Sequence, residues 1–483
     1  MLFNSVQFLI FFPVVVLGYF IIPERTKNLW LLFSSYFFYM CWNPSYGTLL
    51  LLATLTTYLG AILIEKRSNK KVILTTALMI IFGALFYFKY TNFSIQQINK
   101  ILILLQSQLQ IRQFDIVLPV GISFFTFQAA GYLIDVFRKE TKAEYNFFRY
   151  ALFVSFFPQL VAGPIERSKN LLNQLQYTYR FDEHRVAHGL LIMLWGLFLK
   201  MTIADRCALI ADQVFNNYKS YDGIELVIGA IAFSFQIYCD FMGYSTIARG
   251  VAKVLGIDLI DNFKQPYFST SIKEFWRRWH ISLSYWLRDY LYIPLGGSRY
   301  GKFITYRNLL ATFFVSGLWH GANWHFIAWG GVHGLFIIIS DICQPFNKFC
   351  LKLFRINTAS ISYQIFTRLY TFAIVAVAWV FFRAQSTSAA FEIIKRSFRL
   401  ENFGIIFNGG IYQLGIDQRN FILLMISLIL LFSFSILREL KVNISKLIDE
   451  QPKIFMLIFV WILVFLVVLS TNLSGKEFIY FQF

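Results

Sequence analysis

Apolar runs long enough to cross a bilayer recur along the whole chain, at about 5–22, 29–42, 48–64, 72–88, 116–137, 147–163, 186–204, 224–246, 306–340, 365–382, 420–437 and 453–471. A helix of ~20 apolar residues spans the hydrocarbon core and satisfies its own backbone hydrogen bonds there. The pattern therefore predicts an all-α, polytopic membrane bundle of roughly ten to twelve spans, with re-entrant or interfacial helices between some of them. The longer polar intervals, about 89–115, 164–185, 343–364 and 384–419, predict loops or surface helices. No repeat of fixed period and no low-complexity linker divides the chain, so residues 1–483 read as a single transmembrane domain.

Two segments depart from the plain pattern. Leu309 to Ser340, LLATFFVSGLWHGANWHFIAWGGVHGLFIIIS, carries no Asp, Glu, Lys or Arg, yet holds His320, His325 and His333, half of the six histidines. As one helix at ~1.5 Å per residue it would reach ~48 Å, well beyond a ~30 Å core. It is expected to break at Gly321-Ala322-Asn323, and Gly317 and Gly321, four apart, would let another helix or a slender ligand approach the backbone.

The second segment is 272–294, IKEFWRRWHISLSYWLRDYLYIP. At ~100° per residue, Lys273, Arg277, His280, Ser284 and Arg288 fall on one face and Trp279, Leu283, Trp286 and Tyr290 on another. This predicts one amphipathic interfacial helix with a basic stripe, ended by Pro294 and turned back at Gly296-Gly297.

Composition agrees with a membrane protein: 57% of residues are hydrophobic, 14% are charged and the mean hydropathy is +0.57. The net charge of +18 sits largely in short connections such as EKRSNKK at 65–71 and 164–185, which is a positive-inside signal and excludes a nucleic-acid binder. With 65–71 cytoplasmic, 23–28 is cytoplasmic too, and 43–47, without Lys or Arg, is external. The first basic residue is Arg25, so the opening apolar run reads as a retained span that starts outside. Cys41, Cys207, Cys239, Cys343 and Cys350 show no CxxC spacing, which indicates neither a disulfide framework nor a zinc site.

A buried imidazole suits proton transfer, so His320 is the candidate general base toward a hydroxyl, against the plainer reading of a histidine bonded between helices. His280 is the second candidate, against a solvated interfacial histidine. Arg277, Arg278, Arg288 and Lys273 have the charge and, for arginine, the planar fork to hold the phosphates of coenzyme A; contact with anionic lipid headgroups is the alternative. Asp240, near the end of a span, would pair with a basic residue, orient a histidine or mark the water boundary. Ser284, Trp319 and Asn323 complete the candidate substrate-contacting set. His325 and His333 lack the spacing of a metal site and are assigned to packing, and no metal or resident cofactor is expected. GxSxG, GxxxxGK[ST] and GxGxxG in a strand–helix setting are all missing, which removes support for hydrolase, ATPase and dinucleotide readings.

FWRRWHISLSYWLRDYLYIPLGG (275–297) and GLWHGANWHFIAWGGVHG (317–334) strongly resemble the membrane-bound O-acyltransferase (MBOAT) family. MLFNSVQFLIFF, LPVGISFFTFQ (118–128), AGPIER (162–167), YCDFMGYS (238–245) and FIYFQF extend the likeness over essentially the whole chain, toward the family's alginate-acetylating branch. The resemblance implies that His320 is the catalytic histidine and His280 the second active-site histidine, facing it across a membrane-embedded tunnel. It also implies acetyl-CoA as cytoplasmic donor, hydroxyls of an extracytoplasmic exopolysaccharide as acceptor, a secreted SGNH-type transferase as partner, and a bacterial inner membrane. One departure is Thr246, where the family pattern has an acid after Tyr-Ser. D-alanyl transfer to teichoic acid from an acyl carrier protein is the alternative within the family. A proton-coupled transporter is the alternative of another class, disfavoured by the lack of an inverted repeat.

Overall fold

The computed structural model describes residues 1–161, 163–399, 401–442, 451–471 and 478–479, which are helical with no strand among them. Ala162 of the AGPIER stretch and 480–483 of the FIYFQF stretch lie outside the described residues.

In chain order the helices are α1 (Val6–Ile21), α2 (Lys27–Met40), α3 (Ser45–Lys66), α4 (Lys70–Leu104), α5 (Ile122–Phe137), α6 (Phe147–Ser155), α7 (Phe157–Leu160), α8 (Ser168–Gln174), α9 (Glu183–Phe198) and α10 (Asp205–Asn216). They continue with α11 (Ile224–Val254), α12 (Ile272–Arg278), α13 (Ile281–Leu287), α14 (Gly301–His320), α15 (Trp324–Ile342), α16 (Gln344–Leu353), α17 (Ile361–Arg383), α18 (Thr387–Ser397), α19 (Gln418–Glu439) and α20 (Lys453–Val468). A π-helical turn at Leu199–Ala204 joins α9 to α10.

Among the described residues, seven stretches are long and apolar enough to cross a membrane: Ser45–Lys66, Lys70–Leu104, Glu183–Asn216, Ile224–Val254, Trp324–Ile342, Ile361–Arg383 and Gln418–Glu439. Three shorter apolar helices, Val6–Ile21, Ile122–Phe137 and Ile454–Val468, accompany them. The apolar runs at 29–42 and 147–163 become α2 and α6, of 14 and 9 residues, too short to span alone. The long run at 306–340 breaks where its Gly-Ala-Asn sits: α14 ends at His320, Gly321 is extended, and α15 starts after Asn323.

The chain forms two compact units, one from residues 1–193 and 245–260, the other from 194–244 and 261–482. In the first, Gly60 lets α3 lie close to α4 and α5, since a Cβ there would meet Leu133 and Ala77 at 3.2 and 3.3 Å. Thr54 and Thr57 turn their hydroxyls back onto the carbonyls of Leu50 and Ala53, and the Tyr150 hydroxyl donates to Thr57 at 2.6 Å. Glu166 of the AGPIER stretch is 1% exposed and accepts from the Ile260 amide and the Asn170 side chain, each at 2.7 Å. Burial pushes its carboxyl up to about 7, against the pull of these bonds and of Arg249.

The second unit is organised around the α14–α15 hairpin. Backbone touches backbone there: a Cβ on Gly317 would meet the Phe326 carbonyl oxygen at 2.2 Å, and one on Gly330 the Phe313 oxygen at 2.1 Å. The glycines flanking His320 therefore serve helix packing, with Phe326 filling the place beside both Gly317 and Gly321.

Candidate functional site

His320 is the last residue of α14 and is 4% exposed. Its ring lies edge-on against Trp319, Trp329 and Phe382, at centroid distances of 4.9, 5.0 and 5.3 Å. The extended residue at Gly321 ends the helix there, so the imidazole sits at a chain break rather than mid-helix.

His280 reaches the same place by a different route. The single helix expected over 272–294 does not form: α12 stops at Arg278, Trp279 is extended, and His280 takes a left-handed conformation, φ 41° and ψ 55°, before α13. The break is held from outside the segment. The Ile281 amide donates to the Asn262 carbonyl at 3.0 Å, and the Ser282 hydroxyl and amide both donate to the Asn262 side-chain oxygen, the hydroxyl at 2.7 Å. A non-glycine residue at positive φ costs on the order of 1–3 kcal/mol and persists where its surroundings over-determine it. The result turns His280 inward, 1% exposed, instead of leaving it on a basic stripe. Its ring packs edge-on against Phe241 at 4.6 Å and Trp319 at 5.9 Å, and faces His320 at 6.5 Å between centroids. Burial holds its imidazole down to about 3, so the ring is neutral at physiological pH.

The basic residues of the expected stripe are separated by that break. Lys273 bonds Asp341 at 2.6 Å, and Tyr306 donates to the same carboxylate at 2.8 Å. Arg278 is held between Glu274 at 2.6 Å and Glu439, which it meets with both terminal nitrogens at 2.7 and 3.0 Å. Arg288 pairs with neighbouring Asp289 and lies over the Tyr285 ring. Arg277 alone of the four is exposed with no ion pair among the described residues. Ser284 donates to the Trp279 carbonyl at 3.3 Å, and Asn323 is an exposed N-cap of α15. Of the candidate residues, the fold brings His280, His320 and Trp319 into one cluster.

His325 and His333 are both buried. His325 Nδ1 lies 3.1 Å from the Phe381 carbonyl. His333 Nδ1 accepts from the Trp276 indole at 3.3 Å, its ring stacked on Phe275 and edge-on to Trp329 at 5.1 Å. Trp329 thus stands between His333 and His320. No group of three or more His, Cys, Asp or Glu residues among the described ones could hold a metal ion.

Asp240 resolves to an ion pair. Lys200, in the π-helical turn, places its ammonium 2.9 Å from both Asp240 and Asp205, on side chains 2–3% exposed. Asp240 also accepts from the Ile479 amide at 2.8 Å. The adjacent Arg206, fully buried, donates to Ser470 at 2.8 Å and to the carbonyls of Met201 and Thr202. Gly243 permits the approach, because a Cβ there would meet the Gly196 carbonyl at 2.9 Å and the Lys200 amide at 3.1 Å. The residue next to Asp240, Phe241, is the one that packs on His280. Lys200, Asp205, Trp329 and Phe382 were not singled out from sequence; the signal for Lys200 is a lysine inside an apolar run, GLFLKMTIA.

Comparison with known proteins places these residues in context. The membrane-bound O-acyltransferase family matches residues 136–383. A probable alginate O-acetylase of Azotobacter vinelandii is 39% identical over 408 residues, 82% of this chain and 78% of that protein. A peptidoglycan O-acetyltransferase of Helicobacter pylori is 36% identical over 431 residues, 82% and 79% of the two chains. A teichoic acid D-alanyltransferase of Streptococcus thermophilus is 31% identical over 235 residues, 46% of this chain and 56% of that one.

Proposed function

The chain belongs to the membrane-bound O-acyltransferase family, and on that premise we propose that it carries acetyl groups from cytoplasmic acetyl-CoA toward hydroxyls of an extracytoplasmic, alginate-like polysaccharide. It is a multi-pass membrane O-acyltransferase. In our reading it works in a bacterial inner membrane and passes the acetyl group on through a secreted or membrane-anchored SGNH-type transferase.

The observation that carries this reading is the facing of His280 and His320, 6.5 Å apart and buried among aromatic rings. Two imidazoles at that spacing can both hydrogen-bond one reacting group placed between them. His320 takes the proton from the acceptor hydroxyl as its oxygen attacks the thioester carbonyl. His280, neutral, donates a hydrogen bond to the oxyanion that forms. Collapse of that intermediate breaks the carbon–sulfur bond, and the thiolate leaves with the proton held by His320, giving the O-acetyl ester and free coenzyme A. Trp319, Trp329 and Phe382 exclude water, which would otherwise compete as acceptor. Arg277 is the basic residue left available to the donor's phosphates.

Two relatives matched over 82% of this chain carry O-acetyl chemistry in their names, whereas the D-alanyltransferase likeness covers less than half of the chain. Inverted membrane vesicles supplied with labelled acetyl-CoA, beside others supplied with a D-alanyl carrier protein, test the reading. Label on lumenal polysaccharide from acetyl-CoA supports it; transfer from the carrier protein alone overturns it.

A further inference from the structure

α16 joins two membrane-crossing stretches, Trp324–Ile342 and Ile361–Arg383, so it lies at one surface of the bilayer by connectivity alone. It has no buried residue. Phe346, Phe349 and Leu353 are 67, 61 and 60% exposed. At ~100° per residue they share an arc of about 60°. Lys348 and Lys352 flank that arc, ~100° and ~60° from Phe349, Arg355 follows in the turn, and all three are exposed. Between residues 342 and 360 there is no Asp or Glu.

We propose that α16 and the turn after it form a docking surface for the headgroups of anionic phospholipids. Three large side chains this exposed are costly in water and suit the boundary between headgroups and acyl chains. The cations beside them, uncompensated by any acid in the segment, select negative headgroups over zwitterionic ones. The charge sign and the level of the helix favour the lipid surface itself over a soluble partner. This surface is independent of the histidine chemistry.

The test is photo-crosslinking of the full chain in proteoliposomes, using phosphatidylglycerol or phosphatidylcholine analogues with a diazirine near the headgroup. Labelled peptides covering 344–355 are quantified by mass spectrometry. Phosphatidylglycerol should label this segment about tenfold more than phosphatidylcholine at low salt. The preference should collapse toward unity in the triple variant Lys348→Gln, Lys352→Gln, Arg355→Gln, whose three positions are all exposed. Equal labelling by the two lipids in the unaltered chain overturns the proposal. So does absence of labelling by either lipid, which would mean the face is covered by protein or stands in water.

Discussion

The rings of His280 and His320 lie 6.5 Å apart at 62°, and each is delivered by a chain break rather than by a regular helix. The left-handed residue at position 280 and the extended residue at 321 are the two backbone irregularities that aim these imidazoles at one another.

Replacing the proton acceptor should remove chemistry and leave the fold. His320→Ala is expected to lower acetyl transfer by about 10²–10⁴. The measurement is labelled-acetyl transfer by protein that elutes as the unaltered chain does on size exclusion. Near-normal transfer would remove His320 from the mechanism.

Position 280 constrains backbone as well as chemistry. Asparagine tolerates the left-handed region, whereas a β-branched residue there is strained. His280→Asn should therefore keep thermal stability while losing rate, and His280→Val should lose both, with an unfolding midpoint several degrees lower. Equal midpoints for the two variants would contradict the strain argument.

Arg277 and Arg278 are neighbours with different surroundings. Arg277→Ala should raise the KM for acetyl-CoA with little change in unfolding midpoint. Arg278→Ala strips Glu274 and Glu439 of their shared partner and should lower the midpoint instead. Initial rates across a donor series, paired with thermal melts, separate the two.

Lys200→Met would leave two buried carboxylates facing one another without their common cation. Loss of one partner of a buried pair costs about 3–5 kcal/mol, enough to deplete folded protein. Lys200→Arg keeps the charge and should recover part of the yield. Measured as monodisperse protein per cell mass, equal yields for Lys200→Met and the unaltered chain would refute a structural ion pair.

Glu166 predicts how stability moves with pH. Its folded-state carboxyl is raised from 4.5 to about 7, so between these values the folded chain holds a proton that the unfolded chain has released. This contribution is full below pH 4.5 and is lost as pH rises through 7. It is worth on the order of 3 kcal/mol at most. Glu166→Gln should flatten the fall in unfolding midpoint between pH 5.5 and pH 8, read by fluorimetry in detergent. An unchanged slope would mean that the group does not titrate as placed.

Local signals in the sequence were legible wherever the cause was local. The break at 321–323 follows from Gly-Ala-Asn after an overlong apolar run, and both histidine segments stood out as polar groups in apolar surroundings. The segment 272–294 misled because its side chains do repeat at helical period, while the turn at Trp279 and His280 is imposed by Asn262, which no periodicity in the segment reports. The basic stripe drawn on that helix dissolved with it. Asp240 announced an interaction but not its partner, since Lys200 lies forty residues earlier on a different helix. Short aromatic helices such as α2 and α6 have the hydropathy of a crossing without its length, a difference that hydropathy along the chain does not report.

The buried ion cluster also sets an order for synthesis. Of its own members, Lys200, Asp205 and Arg206 emerge together, two cations to one carboxylate. The second carboxylate comes only when α11 delivers Asp240, and the last partners, the Ser470 hydroxyl that accepts from Arg206 and the Ile479 amide that donates to Asp240, arrive after every intervening span has been made. Insertion of this protein thus completes its buried cluster in stages, and an interruption between residues 206 and 240 would leave Lys200 with one of its two carboxylates.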